Sequence, residues 1–449
     1  MSKLDTNTIL PVSWSFVPLK ELGDWSGGGT PSKAKPQYWQ GGTIPWVSPK
    51  DMKTERISDS EDHITKEAVS HSATSLINAG SVLIVTRSGI LRHTLPVAVS
   101  LVPVTVNQDL KALTPRNNIL AEYVAWALRA FSRDILHTCS KQGTTVNSVE
   151  TSKLLGFEIP VAPRSQQAKI VAEIEKQFSR LDEAVANLKR VKVNLKRYKA
   201  AVLKAAVEGK LAPTAGPWKQ VALGDVTTSI RNGYSKKPDA EQGTRIFRIS
   251  AVRTMKLDTN DVRYLSGTPA DYEPFLIEPG DVLFTRYNGN RDYVGVCARV
   301  PASLPPTVYP DKLIRVRVPS SMLLPEFLVI LASTGRAREY IDSKIRTTAG
   351  QSGISGGDLK VLPLDIPRVT EQLQIVAEVE RRMSVVEELQ ASVQANLTRA
   401  DRLRQTILSQ AFSGRLLGQD TKHIPDILPT FSVAAESQAR YGRDDRARR

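Results

Sequence analysis

The stretch "KIVAEIEKQFSRLD" at residues 169–182 returns 205 residues later as "QIVAEVERRMSVVE" at 374–387. Both copies have a helical pattern. In the first, Ile174, Phe178, Leu181, Val185, Leu188, Leu195 and Val202 follow a 3–4 alternation, the spacing that lays one apolar seam along a helix. The second copy carries Val379, Met383, Val386, Gln390, Val393, Ala400 and Ile407 at the same places. Lys192 interrupts the first seam and Gln390 the second, and their repeat partners, Leu397 and Val185, are apolar. Ser165 and Thr370 stand where N-caps would, and Gly209 and Gly414 suit the C′ positions at the far ends. A helix of about 40 residues is roughly 60 Å long, longer than a small domain is wide. Neither helix can bury its seam alone, so the economical arrangement packs the two on each other, antiparallel.

The repetition extends well beyond the helices. "WSFVPLKELGD" from Trp14 answers to "WKQVALGDV" from Trp218, and "NAGSVLIVTRSG" at 78–89 to "EPGDVLFTRYNG" at 278–289. "KLLGFEIP" at 153–160 resembles "KVLPLDIP" at 360–367, and "AAVEGKL" at 205–211 aligns with "QAFSGRL" at 410–416. The chain therefore reads as globule, long helix, globule, long helix. The expected boundaries are a tail at 1–12, a globule at 13–160, a helix at 161–211, a linker at 212–217, a globule at 218–367, a helix at 368–417 and a tail at 418–449. Pro213, Gly216 and Pro217 punctuate the linker, since neither residue type continues a helix well. The last tail, ending "RYGRDDRARR", has the composition of a disordered segment.

Each globule mixes strand and helix patterns. "SVLIVT" at 81–86, "PVAVSLVPVTV" at 96–106 and "LIRVRV" at 313–318 are β-branched runs of strand length, each read as one strand. "LAEYVAWALRAF" at 120–131 and "LPEFLVILAS" at 324–333 have helical spacing. The fold class is α+β: two globular domains separated by two long helices that form an antiparallel coiled coil, with an internal pseudo-two-fold repeat.

A chain of 449 residues suits roughly three domains of about 150 residues, and a hydrophobic content of 41% is ample for packed cores. The formal charge of +15 points to a polyanionic partner, nucleic acid before an acidic membrane. Cys139 and Cys297 show neither CxxC nor Cys/His spacing, which implies two reduced thiols in a cytoplasmic protein and no structural zinc. No run of about 18 apolar residues is present, and the polar opening "MSKLDTNTIL" is not a signal peptide, so the membrane reading falls away.

Catalytic tools are not found in the sequence. It has no GxxxxGK[ST] phosphate loop and no HExxH, and its five His are scattered. "SGGGTPS" at 26–32 lacks Walker spacing and reads as a turn. There is no Asn/Asp-Pro-Pro-aromatic tetrad of the kind that holds a base for amino methylation; "LPPT" at 304–307 has only the prolines. What remains is binding equipment in loops. "TRSGILRH" at 86–93 sets Arg87 and Arg92 past a predicted strand, and "TRYNGNRDY" at 285–293 sets Arg286, Tyr287, Asn288, Asn290 and Arg291 likewise. "SKQGTTVNS" at 140–148, with Lys141, Gln142, Thr144 and Asn147, matches "RTTAGQSG" at 346–353, with Arg346 and Gln351. "RNGYSKKP" at 231–238 adds Arg231, Asn232, Tyr234 and Lys236. Arg can pair with guanine and Asn or Gln with adenine, while Lys, Ser and Thr mostly hold phosphates. Any one of these loops could be a solvated turn; their recurrence at matching places raises the set. The helix stretch "NLKRVKVNLKRYK" at 187–199 also carries Lys189, Arg190, Lys192, Lys196, Arg197 and Lys199 without an acid, as a solvated face, a phosphate rail or a docking surface would.

These features together resemble a known family. "GDWSGGGTPSKAKPQYWQGGTIPWVSPKDM" at 23–52, "FRISAVR" at 247–253 and "EPGDVLFTRYNGNRDYVGV" at 278–296 are similar to target-recognition domains of the DNA-specificity subunits of Type I restriction-modification systems. The "IP…QQAKIVAEIE" and "IP…EQLQIVAEVE" segments resemble that family's two helical regions, with one departure, Gln166, where Glu is usual as at Glu371. The resemblance implies a non-catalytic subunit whose two domains read double-stranded DNA, each taking half of a split site. It implies two modification (methyltransferase) subunits docked on the helices, using S-adenosylmethionine to methylate adenine N6, and further ATP- and Mg-dependent restriction/translocase subunits. No cofactor or metal is expected in this chain itself. Independently of the family, two unlike readers on a rigid spacer would recognise a bipartite, asymmetric site, with major-groove readers favouring a separation near one turn, about 34–36 Å. A stand-alone DNA-binding regulator and a coiled-coil scaffold with incidental charge remain as alternatives.

Overall fold

The computed structural model describes residues 10–141, 147–213, 216–348 and 350–418. Packing groups the chain into two compact units, Met1–Leu188 with Ala395–Arg449, and Lys189–Gln394. Two helices of 44 residues each, α1 (Arg164–Val207) and α2 (Val369–Phe412), give part of their length to each unit.

In the first unit a five-stranded sheet runs Gly23–Gly27, Leu110–Pro115, Val82–Val85, Val97–Ser100, Arg56–Ile57, antiparallel except for its last pair. Its central strand is four apolar residues, all buried, as a strand covered on both faces should be. Helix Ala121–Ala130 lies almost wholly in this core. A smaller sheet orders Asp62–Ile64, Ile44–Val47 and Thr105–Val106. The run at 96–106, expected as one strand, is divided between these two sheets. Pro103 has no N–H to give a ladder, and the chain bends before it. Finally Ser15–Pro18 pairs with Glu158–Val161, and the chain passes directly into α1.

The second unit repeats this plan. Its main sheet runs Ser229–Asn232, Leu313–Arg317, Val282–Thr285, Cys297–Arg299, and its small sheet Val262–Leu265, Thr244–Phe247, Thr307–Val308. In both small sheets one pair is antiparallel and the other parallel. Lys219–Ala222 pairs with Pro363–Ile366 just before α2. Helix Pro325–Ser333 is apolar nearly all round and is buried accordingly.

The long helices pair antiparallel. In the first unit Ile170, Ile174 and Phe178 of α1 share a core with Ile407, Leu408, Ala411 and Phe412 of α2. In the second, Val202, Leu203 and Ala206 of α1 share one with Ile375, Val376 and Val379 of α2. The start of each helix thus meets the end of the other. All the expected seam residues are buried except Val185, Met383 and Gln390, which are half-buried. Arg404 lies over the Phe178 ring at 5.0 Å and forms an ion pair with Asp182. Lys192, the lapse in the first seam, is exposed and donates across to Gln394 at 3.1 Å.

Both N-cap expectations need correction. The first helical bonds run from Gln166 and Gln167 to the Pro163 carbonyl (2.8 and 3.1 Å), and from Glu371 and Gln372 to the Arg368 carbonyl (2.9 and 3.0 Å). Pro163 and Arg368 therefore take the cap position, and Ser165 and Thr370 fall inside the first turn. At the other ends Gly209 and Gly414 adopt φ of +67° and +77°. The amides of Lys210 and Arg415 then reach back to Ala205 and Gln410 at 2.9 Å, the Schellman closure that a left-handed glycine permits. Among the described residues no helix is long and apolar enough to cross a membrane.

Phe412 stands edge-to-face with Tyr123 at 5.2 Å and tilted against Phe131 at 6.1 Å, so the last turn of α2 is part of the first unit's core. Phe412→Ala is expected to cost about 3–5 kcal/mol in denaturant unfolding. Truncation of the exposed neighbour, Leu417→Ala, should stay within about 0.5 kcal/mol.

Candidate nucleic-acid interface

Strand Val82–Val85 and its counterpart Val282–Thr285 are buried along their length, so the residues just after them emerge at the end of each sheet. In the second unit Tyr287–Asn288 pairs with Gln351–Gly353, which pairs in turn with Arg346–Thr348. Two loops far apart in sequence thereby become one small ribbon. The Tyr287 ring packs against Gly353, where a Cβ would sit 2.2 Å from the ring. The Arg286 guanidinium is 4.6 Å from the Tyr287 ring centre and donates to the Asp311 carbonyl at 3.3 Å. The Arg286 backbone is held by Lys312 O (2.8 Å) and Ile354 N (3.0 Å).

Tyr287, Asp311, Lys312, Arg346, Gln351 and Asp358 line a cleft of about 420 Å³. Burial pushes the Asp358 carboxyl upward, but Ser355's hydroxyl and amide and the charges of Arg346 and Lys344 outweigh it and hold the group below its ordinary range. The cleft thus offers an aromatic edge, a guanidinium fork, an ammonium and an amide. That set can read a base edge and hold a phosphate.

Other expected residues are placed elsewhere. Asn288 Oδ1 accepts from the Asn290 amide and Asn290 Oδ1 from the Asp292 amide, both at 2.9 Å, so these carbonyls shape the loop. Arg291 donates to Asp342 O at 3.1 Å and lines a second cleft, about 370 Å³, with Arg338 and Asp342. Arg231 sits on strand Ser229–Asn232 directly opposite Arg315, its guanidinium 5.0 Å from the Phe275 ring centre. Arg315 is only 7% exposed and donates to the Leu276 carbonyl at 2.8 Å. Asn232 is exposed at the end of that strand. Tyr234 packs edge-to-face on Tyr272 (5.2 Å) and Phe275 (5.4 Å), and Lys236 is exposed beyond it.

In the first unit Arg87 bridges to Ser148, Ser88 N donates to Asn147 O at 3.1 Å, and Ser140–Lys141 pairs with Ser148–Val149. Arg87, Lys141 and Asn147 are therefore neighbours. Unlike Arg286, Arg87 is paired with an acid, its Nε 2.5 Å from Asp109 Oδ1. Arg92 ends the short turn Gly89–Arg92 and is exposed. Gln142 and Thr144 lie outside the described residues. Both thiols are buried, and burial raises Cys139 and pushes Cys297 up to about 12, so neither is a ready nucleophile at neutral pH.

Residues 11–195, the first globule and much of α1, match the family model described as the Type I restriction modification DNA specificity domain. The EcoKI specificity subunit of Escherichia coli (strain K12) is 34% identical over 302 residues, 65% of this chain and 65% of that one. The EcoR124I/EcoR124II specificity subunit of Escherichia coli is 47% identical over 174 residues, 39% of this chain and 42% of that one. Over these spans the chain is similar to the specificity subunits of Type I restriction enzymes. Its matches span 65% and 42% of the length of those two relatives. Among solved structures, a chain from a study of complex assembly and conformational transition of the type I R-M system shares the fold with a TM-score of 0.71 at 19% identity, covering 91% of this chain and 100% of that chain. The HsdS subunit from Thermoanaerobacter tengcongensis aligns with a TM-score of 0.57, also at 19% identity, over 91% and 98%.

Sequence reasoning missed part of this surface. Asp311 and Lys312 follow "YP" at a strand entry and carried no signal of their own. Asp358 did: Ser355 and Asp358 form an S-x-x-D capping pair, with Ser355 N donating to the Asp358 carboxylate at 2.8 Å. Gly353→Val should force the Tyr287 ring off its seat. We expect a loss of about 1–3 kcal/mol, the usual size for overpacking, measurable as a lowered unfolding midpoint.

Proposed function

We propose that this chain is the DNA-reading subunit of a Type I restriction-modification enzyme, recognising a bipartite, asymmetric site in double-stranded DNA. One observation carries the reading. The same frame occurs twice, the second main sheet keeping the order of the first four strands of the other, yet the loops at equivalent places differ: an Arg87–Asp109 ion pair in one, an Arg286–Tyr287 stack in the other. A duplicated frame with unlike loops is what two different half-sites would require. The net charge of +15 favours a polyanion.

In this reading the chain performs no chemistry. Two modification subunits dock on α1 and α2 and methylate adenine N6 with S-adenosylmethionine, while restriction/translocase subunits use ATP and Mg. Support comes from the sequence, which lacks phosphate-loop and methyltransferase signatures, and from the relatives, which are named as specificity subunits. The complex would work in the cytoplasm, where its DNA and reduced thiols are found. A stand-alone regulator would bind its site without partners, and a scaffold would show no sequence preference.

Co-purification with partner subunits followed by methylation-site mapping on random DNA tests this directly. A contiguous site, or sequence-specific binding with no partner required, would overturn it. Arg346→Ala should cost about 1–3 kcal/mol in binding and relax one half-site. Lys236→Ala should weaken binding evenly and lower the salt slope by about 1. Replacing residues 13–160 should change one half-site only. Four residues inserted in a long helix add about 6 Å, near two steps of about 3.4 Å; the mapped gap should lengthen with both half-sites kept.

A further inference from the structure

Two buried glutamines occupy the same place in the repeat, Gln167 in the first turns of α1 and Gln372 in those of α2, 1% and 0% exposed. Their hydrogen bonds correspond atom for atom. Gln167 Oε1 accepts from Leu120 N at 2.9 Å, and its Nε2 donates to Ala162 O at 2.8 Å and Asn118 O at 3.3 Å. Gln372 Oε1 accepts from Leu324 N at 2.9 Å, and its Nε2 donates to Pro367 O at 3.0 Å and Met322 O at 2.9 Å. Each amide therefore ties three pieces of backbone. One follows the last strand of the recognition fold, one precedes the buried helix Ala121–Ala130 or Pro325–Ser333, and one is the long helix itself.

Simple core filling does not account for this. An apolar side chain would fill the space without the desolvation that a buried amide suffers. Packed apolar groups also tolerate small slides, whereas three hydrogen bonds from one planar amide fix direction. Direction matters here because so little chain joins each fold to its helix: two residues separate strand Glu158–Val161 from Arg164, and two separate Pro363–Ile366 from Val369. Apolar contacts of Ile174 and Phe178 in one unit, and of Ile375 and Val379 in the other, also hold each fold to its helix, and the amide adds direction to that contact.

We propose that Gln167 and Gln372 are positioning residues that lock each recognition fold to its long helix, and so set how strictly the gap between half-sites is enforced. This rests on the bipartite reading above. Gap discrimination then depends on helix length and also on these two amides.

The test uses the full chain assembled with its modification subunits, and duplexes that carry both half-sites with the gap varied by up to two base pairs either way. Gln372→Met removes the polar bonds at similar volume; Gln372→Asn keeps an amide too short to span its three partners. Gln167→Met does the same in the other unit. Expected is an unchanged pair of half-sites. The methylation ratio between the preferred gap and its neighbours should fall by about tenfold, a factor within reach of a few buried hydrogen bonds. A variant that keeps the parent's gap ratio while its unfolding midpoint drops would overturn the proposal, because the amide would then be holding structure and nothing more. So would a changed half-site. If Gln372→Met fails to fold, the ratio is read from Gln372→Asn and Gln167→Met. The exposed neighbour Leu373→Ala serves as the control that should match the parent. A parent that methylates no bipartite site would overturn the reading itself, and the clamp with it.

Discussion

An apolar stripe running the length of a 44-residue helix has to be covered, and no globule of this size can cover it alone. The rest of the structure follows from that constraint. Each long helix lends its ends to two cores, and in each core it meets the opposite end of its partner. The order of elements in the chain, fold then helix then fold then helix, is the order that lets an antiparallel pair form from a tandem repeat. The seam need not be perfect. Lys192 stays in solvent and bonds across the pair, while apolar residues above and below it close the contact.

The polar devices that terminate and anchor the helices are as regular as the seam. Left-handed glycines stop both helices with the same backward hydrogen bond. Buried glutamines start both with the same three. The departure at Gln166, where the second copy has Glu371, is absorbed locally: the side-chain Oε1 of Gln166 accepts the Trp14 indole N–H at 2.8 Å. These contacts use backbone and amide groups whose geometry is directional, and they are repeated because the frame is repeated. By contrast, the side chains after the central strand diverge. In one unit Arg87 is neutralised by Asp109; in the other Arg286 lies over an aromatic ring. The frame is repeated while the loops it carries diverge.

Much of this was legible before any coordinates. Helix period, its recurrence after 205 residues, and the glycines at both ends specified the long helices to within a few residues, because 3.6-fold periodicity and left-handed caps are local properties. The buried strands and the two apolar helices were legible for the same reason. Less so were the N-termini, where proline and arginine carbonyls took the cap that Ser165 and Thr370 were expected to hold. The single run at 96–106 was misread because one proline divides it between two sheets.

The sequence by itself determined the architecture: a tandem α+β frame, two long helices and a strongly basic chain, all set by periodicity, punctuation and charge. Only the tertiary structure decided which candidate residues share a surface. Tyr287, Arg346 and Gln351 meet in one cleft because strand pairing joins segments some 60 residues apart. Arg231 and Arg291, equally basic on paper, are drawn to an aromatic ring and a carbonyl elsewhere. Composition assigns a charge to each side chain; its neighbours across the sheet assign what that charge can reach.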